Sequence, residues 1–270
     1  MAVRLGIRLE VDHIPTLNHV FTEARGHRLE YQWLGAESDS TPIVFLHEGL
    51  GSIDLWRGFP ADVVAESDHP GLVFSRFGHG RSDPLIGPRS PRFMHEEALE
   101  VLPGLVDELV GRPPILVGHS DGASISVIYA GSGYPVAGLV LIAPHVMVEE
   151  IGLAQIADLN ASHEMSDLAD RLTKYHDKPE ALFRGWADVW LSEEFRGWNL
   201  EEHLAGISCP VLMIQSREDD YGTLEHLDLI ERSVAGRVER LELEGRSHSP
   251  HLSQGDLVTG ATVRFINEVS

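Results

Sequence analysis

The stretch PILVGHSDGAS, residues 114–124, places Ser120 between Gly118 and Gly122, directly after an apolar run. The two glycines allow a turn too tight for larger side chains. A serine in such a turn points its oxygen out at the end of the preceding strand. Backbone N–H groups at the start of the following helix, that of Asp121 first, can then stabilise a negative charge. The stretch predicts a nucleophilic Ser120, although a plain strand-to-helix turn could carry the same residues.

Short apolar runs alternate with longer helical patterns on both sides of this turn. Nearly continuous apolar runs are typical of strands covered on both faces, whereas residues 236–245 alternate apolar and charged side chains, as a strand nearer the sheet edge would. We predict an α/β fold with a mostly parallel central sheet and helices on both faces. The predicted buried strands cover residues 42–48, 71–77, 113–120, 136–144 and 210–216, and the predicted helices cover 96–110, 121–133 and 257–269. Pro103 and Gly104 should make the first of these helices kink or start late.

Composition and charge limit the classes of function. The 270 residues, 43% of them hydrophobic, suit one large domain with an insertion. With 21 lysines and arginines against 42 aspartates and glutamates, the formal net charge is −21, so we expect neither nucleic acid nor a membrane as partner. The single cysteine, Cys209, leaves no internal disulfide. Residues 1–15 lack the apolar run of a signal peptide and no run is long enough to span a membrane, so we expect a cytoplasmic protein.

Residues 146–205 interrupt the alternation because they contain no strand pattern. We predict a helical lid there, inserted into a core formed by residues 1–145 and 206–270. Its helices should cover 152–162, 165–176 and 180–195. Trp186 and Trp190 of the lid, together with Trp56 and His145, are candidates for the walls of a substrate pocket. Packing in a small core would explain the tryptophans equally well.

Three further loops could serve a nucleophilic serine. FLHEGLGS, residues 45–52, follows the first buried strand and offers a second oxyanion N–H from Gly49 or Leu50, beside that of Asp121. SREDDYGT, residues 216–223, places carboxylates after a later strand, where they could also cap a helix. GRSHSPHLSQ, residues 245–254, contains His248, the better candidate for a general base, and its neighbour His251.

The order serine, acid, histidine resembles that of the α/β-hydrolase fold, and the chain resembles serine hydrolases of the bacterial esterase-like kind over roughly residues 28–268. FSRFGHGRSDP, residues 74–84, is similar to the family's glycine-rich turn. The resemblance implies Asp219 as the acid, with Asp220 as the alternative, and His248 as the base. Ser216 and Ser247 occupy positions where the family has glycine.

Glu48 is a further departure, since relatives often carry glycine at this position of the oxyanion loop. A carboxylate that pointed into an oxyanion site would hinder catalysis. We therefore expect the Glu48 side chain to point away from the site or to form an ion pair, with Arg76 or Arg81 as the candidate partners.

The resemblance implies a serine hydrolase that cleaves a small carboxylic ester through an acyl-enzyme, with Ser120, His248 and Asp219 as its triad. The partners would be a small acyl substrate and water, without metal or cofactor, and a homodimer is left open. A thioesterase, lactonase, C–C hydrolase or cofactor-free perhydrolase could use the same residues. The alternative outside enzymes is a small-molecule receptor on this fold.

Overall fold

The computed structural model describes residues 19–163 and 168–270, and an eight-stranded sheet forms its centre. The strands are β1 (Val20–Ala24), β2 (His27–Leu34), β3 (Ile43–Leu46), β4 (Gly71–Phe74), β5 (Ile115–His119), β6 (Gly138–Ile142), β7 (Val211–Ser216) and β8 (Val238–Leu243). They lie in the order β1-β2-β4-β3-β5-β6-β7-β8. The pairs β1–β2 and β2–β4 are antiparallel and the others are parallel, which confirms the predicted mostly parallel sheet.

The five predicted buried strands correspond to β3–β7, and every residue in them is buried. Successive side chains point to opposite faces of the sheet. In β3, Ile43 and Phe45 pack on one face, and Val44 and Leu46 pack on the other. Strand β8 lies at the sheet edge, as its alternating pattern predicts, and its residues are mostly half-buried.

The hairpin β1–β2 was not predicted. Its two-residue turn consists of Arg25 and Gly26, both with positive φ, at 51° and 75°. Such turns usually carry Asn-Gly or Asp-Gly, and the arginine hides this hairpin signal. The hairpin extends the sheet because β2 pairs with β4, for example through Tyr31 and Phe74.

Helices cover both faces of the sheet. They are α1 (Phe59–Ser67), α2 (Phe93–Glu96), α3 (Leu102–Leu105), α4 (Asp121–Gly131), α5 (Glu150–Ser162), α6 (Leu168–Leu172), α7 (Pro179–Trp190), α8 (Glu201–Leu204), α9 (Glu225–Ser233), α10 (Pro250–Ser253) and α11 (Gly255–Val269). Residues of α1 and α11 pack in the core cluster on one face, and residues of α2–α4, α8 and α9 pack in the cluster on the other. Among the described residues, no helix combines the length and apolar character that crossing a bilayer needs.

The helical segment around Pro103 is irregular, and it does not start late. It begins at Phe93, earlier than predicted, and π-helical turns at Glu97–Val101 and Val106–Val110 flank α3. Proline has no N–H to donate and its ring crowds the preceding turn, so the segment widens there. Pro103 lies in the first turn of α3, where its missing N–H costs least.

The segment between β6 and β7, where a lid is predicted and which is called the lid below, contains α5, α6, α7 and α8. The predicted helices at 152–162 and 180–195 correspond to α5 and to α7 with the 3-10 turn Glu193–Gly197. Of the predicted helix 165–176, residues 165–167 lie outside the described residues, and α6 occupies part of the rest. Trp190, Phe195 and Trp198 pack together, with ring centroids 5.0–5.9 Å apart.

Candidate active site

Ser120 occupies the turn between β5 and α4 in a strained backbone conformation, with φ 54° and ψ −119°. A non-glycine residue in this region costs energy, which the surrounding packing must offset. The two flanking glycines are required by space. A Cβ on Gly122 would lie 1.9 Å from the carbonyl oxygen of Leu46, and a Cβ on Gly118 would lie 2.5 Å from that of Gly122.

The structure brings Ser120, His248 and Asp219 into one hydrogen-bonded chain. Ser120 Oγ lies 2.9 Å from His248 Nε2, and His248 Nδ1 lies 2.9 and 3.0 Å from the Asp219 carboxylate oxygens. An ionised carboxylate only accepts hydrogen bonds, so the ring proton is on Nδ1. His248 Nε2 therefore keeps a lone pair facing the serine hydroxyl. Asp219 also accepts the N–H of Tyr221 at 2.9 Å.

Asp220, the alternative acid, is directed away from His248. Its carboxylate pairs with Arg246 at the surface, at 2.5 Å. Of the two serines at the family's glycine positions, Ser216 bonds to the segment of the other, since its Oγ donates to the carbonyl oxygen of Ser247 at 2.7 Å. This bond joins the end of β7 to the loop that carries His248, and a glycine at position 216 could not form it.

The β3 loop (residues 47–52) lies beside the serine turn, because β3 and β5 are parallel neighbours and both end at the same sheet edge. Within residues 19–163 and 168–270, no acceptor bonds to the N–H groups of Gly49, Leu50 or Asp121. Free N–H groups of this kind can hold an oxyanion. The N–H of Gly51, in contrast, donates to the carbonyl oxygen of Glu48 at 3.0 Å.

The Glu48 carboxylate lies beside His119 and pairs with neither predicted partner. Its carboxylate lies 3.6 Å from His119 Nδ1, while Arg76 Nη2 donates to its main-chain oxygen at 2.8 Å and Arg81 pairs with Asp177. Burial alone would raise the pKa of Glu48, but the neighbouring His119 holds it well below the ordinary value. The prediction of Arg76 or Arg81 was wrong because both guanidinium groups bond elsewhere.

His119 connects this carboxylate to the histidine loop. Its Nε2 donates to the main-chain oxygen of His248 at 2.8 Å. The ring is 1% exposed and lies between the serine turn, to which it belongs, and His251, 4.6 Å away between centroids. His119 thus fixes the backbone of His248 relative to the turn of Ser120.

Three of the four predicted pocket residues lie near the triad candidates. His145 lies 5.2 Å from His248 and 5.4 Å from Trp190 between ring centroids. A Cβ on Gly49 would lie 2.1 Å from Trp186 Nε1, so this indole covers the β3 loop. Trp56, in contrast, is only 1% exposed and packs with Phe45 and Phe59 in the core.

Burial sets the charge states around the site. It raises the pKa of Asp121 to about 6, against the opposing effect of Arg76 and Arg89. Burial also lowers the pKa of His145 well below its usual value, with further lowering from His226 and His248. His145 is therefore neutral at neutral pH.

Sequence reasoning missed four buried histidines that bond around the site. His47 and His119 are visible in the sequence as neighbours of Glu48 and Ser120, but nothing marks His79 and His176, which come from a turn and from the lid.

Ser120 itself is 7% exposed. Two surface cavities, of about 380 and 610 Å³, are lined by other residues.

Sheet order and site together define the class of protein. A mostly parallel sheet with a strained serine after β5, a carboxylate after β7 and a histidine after β8 is the arrangement of an α/β-hydrolase fold. The chain belongs to the alpha/beta hydrolase family, whose model matches residues 43–261.

Known proteins similar to this chain include hydrolases of several kinds. The sn-1-specific diacylglycerol lipase ABHD11 of Danio rerio is 28% identical over 102 residues, which are 38% of this chain and only 31% of the lipase. The enol-lactonase of Burkholderia xenovorans has a TM-score of 0.71 at 20% identity, covering 92% of this chain and 99% of its own. A thermophilic esterase of Thermogutta terrifontis has a TM-score of 0.69 at 18% identity, covering 94% and 99%. At these identities the two structures indicate the fold alone.

Proposed function

We propose that the protein is a serine hydrolase that cleaves a small carboxylic ester, or a related acyl bond, through an acyl-enzyme. The observation that carries the proposal is the chain from Ser120 Oγ through His248 to Asp219, with 2.9 Å at the serine and 2.9 Å at the carboxylate. His248 takes the serine proton as Oγ attacks the acyl carbonyl, and later gives it to the leaving group. Asp219 holds the ring tautomer and stabilises the imidazolium.

The developing oxyanion is held by backbone N–H groups. Asp121, at the start of α4, supplies one and Gly49 or Leu50 supplies the other. Such donors are aimed before the reaction and typically contribute about 3 kcal/mol each to lowering the barrier. Water then attacks the acyl-enzyme, with His248 as base, and releases the acid and the free serine.

The surroundings favour a substrate with an uncharged, apolar group. Trp186 covers the β3 loop, and Trp190 and Tyr221 lie against the ring system of His145 and His248. The formal charge of −21 opposes anionic substrates. The lipase, the lactonase and the esterase named above are consistent with an ester or lactone as the bond that is cleaved.

A panel of p-nitrophenyl esters of increasing acyl length, with lactones and thioesters alongside, tests the proposal. Ser120→Ala should lower kcat/KM by at least about 10³-fold, because the nucleophile is removed. Ser126→Ala is the matched control, since Ser126 Oγ only bonds back to the Gly122 carbonyl inside α4, at 2.8 Å. It should retain wild-type activity. Equal activity of Ser120→Ala and wild type, or no hydrolysis anywhere in the panel, would contradict the proposal.

A further inference from the structure

Each of three carbonyl groups of the β3 loop accepts a hydrogen bond from a different buried histidine. The pairs, donor first, are His47 Nδ1 and the Glu48 oxygen at 2.8 Å, His176 Nε2 and the Leu50 oxygen at 3.0 Å, and His79 Nδ1 and the Gly51 oxygen at 3.1 Å. Two of these histidines belong to the core of the protein. His176 is the one supplied by the lid, from the segment between α6 and α7.

The contacts of His176 fix its tautomer. Its Nδ1 accepts the N–H of Gly80 at 2.9 Å, and its Nε2 faces the carbonyl oxygen of Leu50. A backbone N–H can only donate and a carbonyl oxygen can only accept, so the ring proton is on Nε2. The ring is 2% exposed, and the next residue, Asp177, donates its N–H to the Gly80 oxygen at 3.1 Å.

The bond to Leu50 restrains the position of the β3 loop at the peptide that follows its free N–H groups. In a trans peptide the C=O and the N–H point in opposite directions, so a carbonyl that is held also fixes the attached N–H. The Glu48 oxygen is held by His47, Arg76 and the Gly51 N–H, which fixes the N–H of Gly49. His176 holds the Leu50 oxygen on the other side. The peptide that carries the Leu50 N–H lies between these two held peptides, so the β3 loop cannot shift away from the serine turn here without breaking one of these bonds.

We propose that His176 is a positioning residue, which holds the Leu50 carbonyl so that the β3 loop presents its free N–H groups to the oxyanion. The inference rests on the proposed function and adds a role for the lid. The lid completes the oxyanion site from outside the core, so the site is fully ordered only while the segment around His176 is seated. No local sequence pattern indicates this contact, because residue 176 lies 126 positions from residue 50.

His176 can act in this way because it stays neutral. Burial lowers its pKa to about 4; the bond to Leu50 and the charges of Glu48 and Glu30 oppose that effect, and Arg81 adds to it. The ring of His79 faces it at 6.2 Å, and burial keeps that ring neutral as well. A protonated His176 would direct a second N–H at the Gly80 N–H and break the contact.

Two isosteric variants separate the two bonds of His176. His176→Asn keeps an acceptor near the Nδ1 position for Gly80 and has no group that reaches Leu50. His176→Gln places an amide N–H near the Nε2 position for Leu50 and loses the acceptor. The control is Asp177→Asn, which removes the lid's ion pair with Arg81 and leaves the β3 loop untouched. Folding of every variant is checked by circular dichroism.

The readouts are ester hydrolysis and inhibition by a trifluoromethyl ketone, which forms a charged tetrahedral adduct on the serine. His176→Asn should lower kcat about 10- to 100-fold with little change in KM, and weaken the ketone by a similar factor. His176→Gln and Asp177→Asn should keep kcat within about 3-fold of wild type. A purely structural role would reduce the amount of active protein but would leave the inhibition constant unchanged.

The outcomes separate this inference from the proposed function. Wild-type inhibition constants in His176→Asn, or an equal loss of kcat in His176→Gln, would overturn the role of His176 while the serine mechanism stands. An inactive wild type that forms no ketone adduct would overturn the proposed function instead. If His176→Asn does not fold, His176→Gln decides alone, since a folded Gln variant with low kcat contradicts the role.

Discussion

Lowering the pH should destabilise this protein steeply, because it buries neutral histidines. Five buried histidines of the described residues have a pKa below the ordinary 6.5, and burial is the largest cause in every one of them. The pKa of His176 is lowered to about 4, and those of the other four are lowered well below 6.5. The histidines with a lowered pKa that are also buried are His47, His79, His145, His176 and His251. In the unfolded chain these imidazoles are exposed and take up protons near their ordinary pKa.

The sign and size follow from proton linkage. Between pH 6.5 and about 4 the unfolded chain binds more protons than the folded one, so the free energy of unfolding falls with pH, by about 1.4 kcal/mol per pH unit for each ring. Burial raises the pKa of Asp121 to about 6, and also raises those of Glu97 and Asp54, and these carboxyls offset part of the effect. A net difference of about three protons gives about 4 kcal/mol per pH unit near pH 5.5. Since a domain has about 5–15 kcal/mol in total, acid unfolding should occur between about pH 4 and 5.

Urea unfolding followed by circular dichroism at pH 7.5, 6.5, 5.5 and 5.0 measures this slope. His176→Gln removes one titrating ring and should reduce the slope by about 1.4 kcal/mol per pH unit. Moving one imidazole pKa from 6.5 to about 4 corresponds to about 3 kcal/mol between neutral and acid pH. An unfolding free energy that stays constant from pH 7.5 to 5.0 would refute the reasoning.

Three substitutions test other parts of the account. Asp219→Asn should lower kcat about 10⁴-fold in ester hydrolysis. Asp220→Asn breaks only a surface ion pair and should change kcat less than 3-fold. A larger loss in Asp220→Asn than in Asp219→Asn would identify Asp220 as the acid. Gly122→Ala should cost about 3 kcal/mol or more in urea unfolding, because its Cβ would lie 1.9 Å from a backbone oxygen, and an unchanged midpoint would contradict the close approach. Glu48→Gln should lower the unfolding free energy by about 1–2 kcal/mol, because the carboxylate loses its contact with His119. Since that contact holds the Glu48 pKa below its ordinary value, the loss should be full above pH 4.5 and shrink below it, and no loss at pH 7 would contradict a stabilising contact.

The sequence predicted the parts of the fold that periodicity and turn chemistry control. Continuous apolar runs located β3–β7, and the glycines around Ser120 located the serine turn, because few other residues fit there. The hairpin β1–β2 escaped because its turn has Arg25 where Asn or Asp is usual. The segment around Pro103 widened into π-helical turns, which the apolar pattern does not encode.

The candidate site was less accessible to sequence reasoning where it depends on packing direction. The order of Ser120, Asp219 and His248 along the chain is a sequence property, and the structure brings these three together. The partner of Glu48 cannot be read from the sequence in this way, because it depends on which ring the folded chain places beside the carboxylate. Contacts such as that of His176 with Leu50 arise only when the lid docks, so local patterns carry no trace of them.

The most direct test of the central claim, that Ser120 is a nucleophile activated by His248, is covalent labelling with a fluorophosphonate, followed by mass spectrometry of the digested protein. We expect one adduct per chain, on the peptide that contains Ser120, none in Ser120→Ala, and labelling slowed by at least about 10³-fold in His248→Ala. An adduct on another residue, or labelling of Ser120→Ala at the wild-type rate, would contradict the claim.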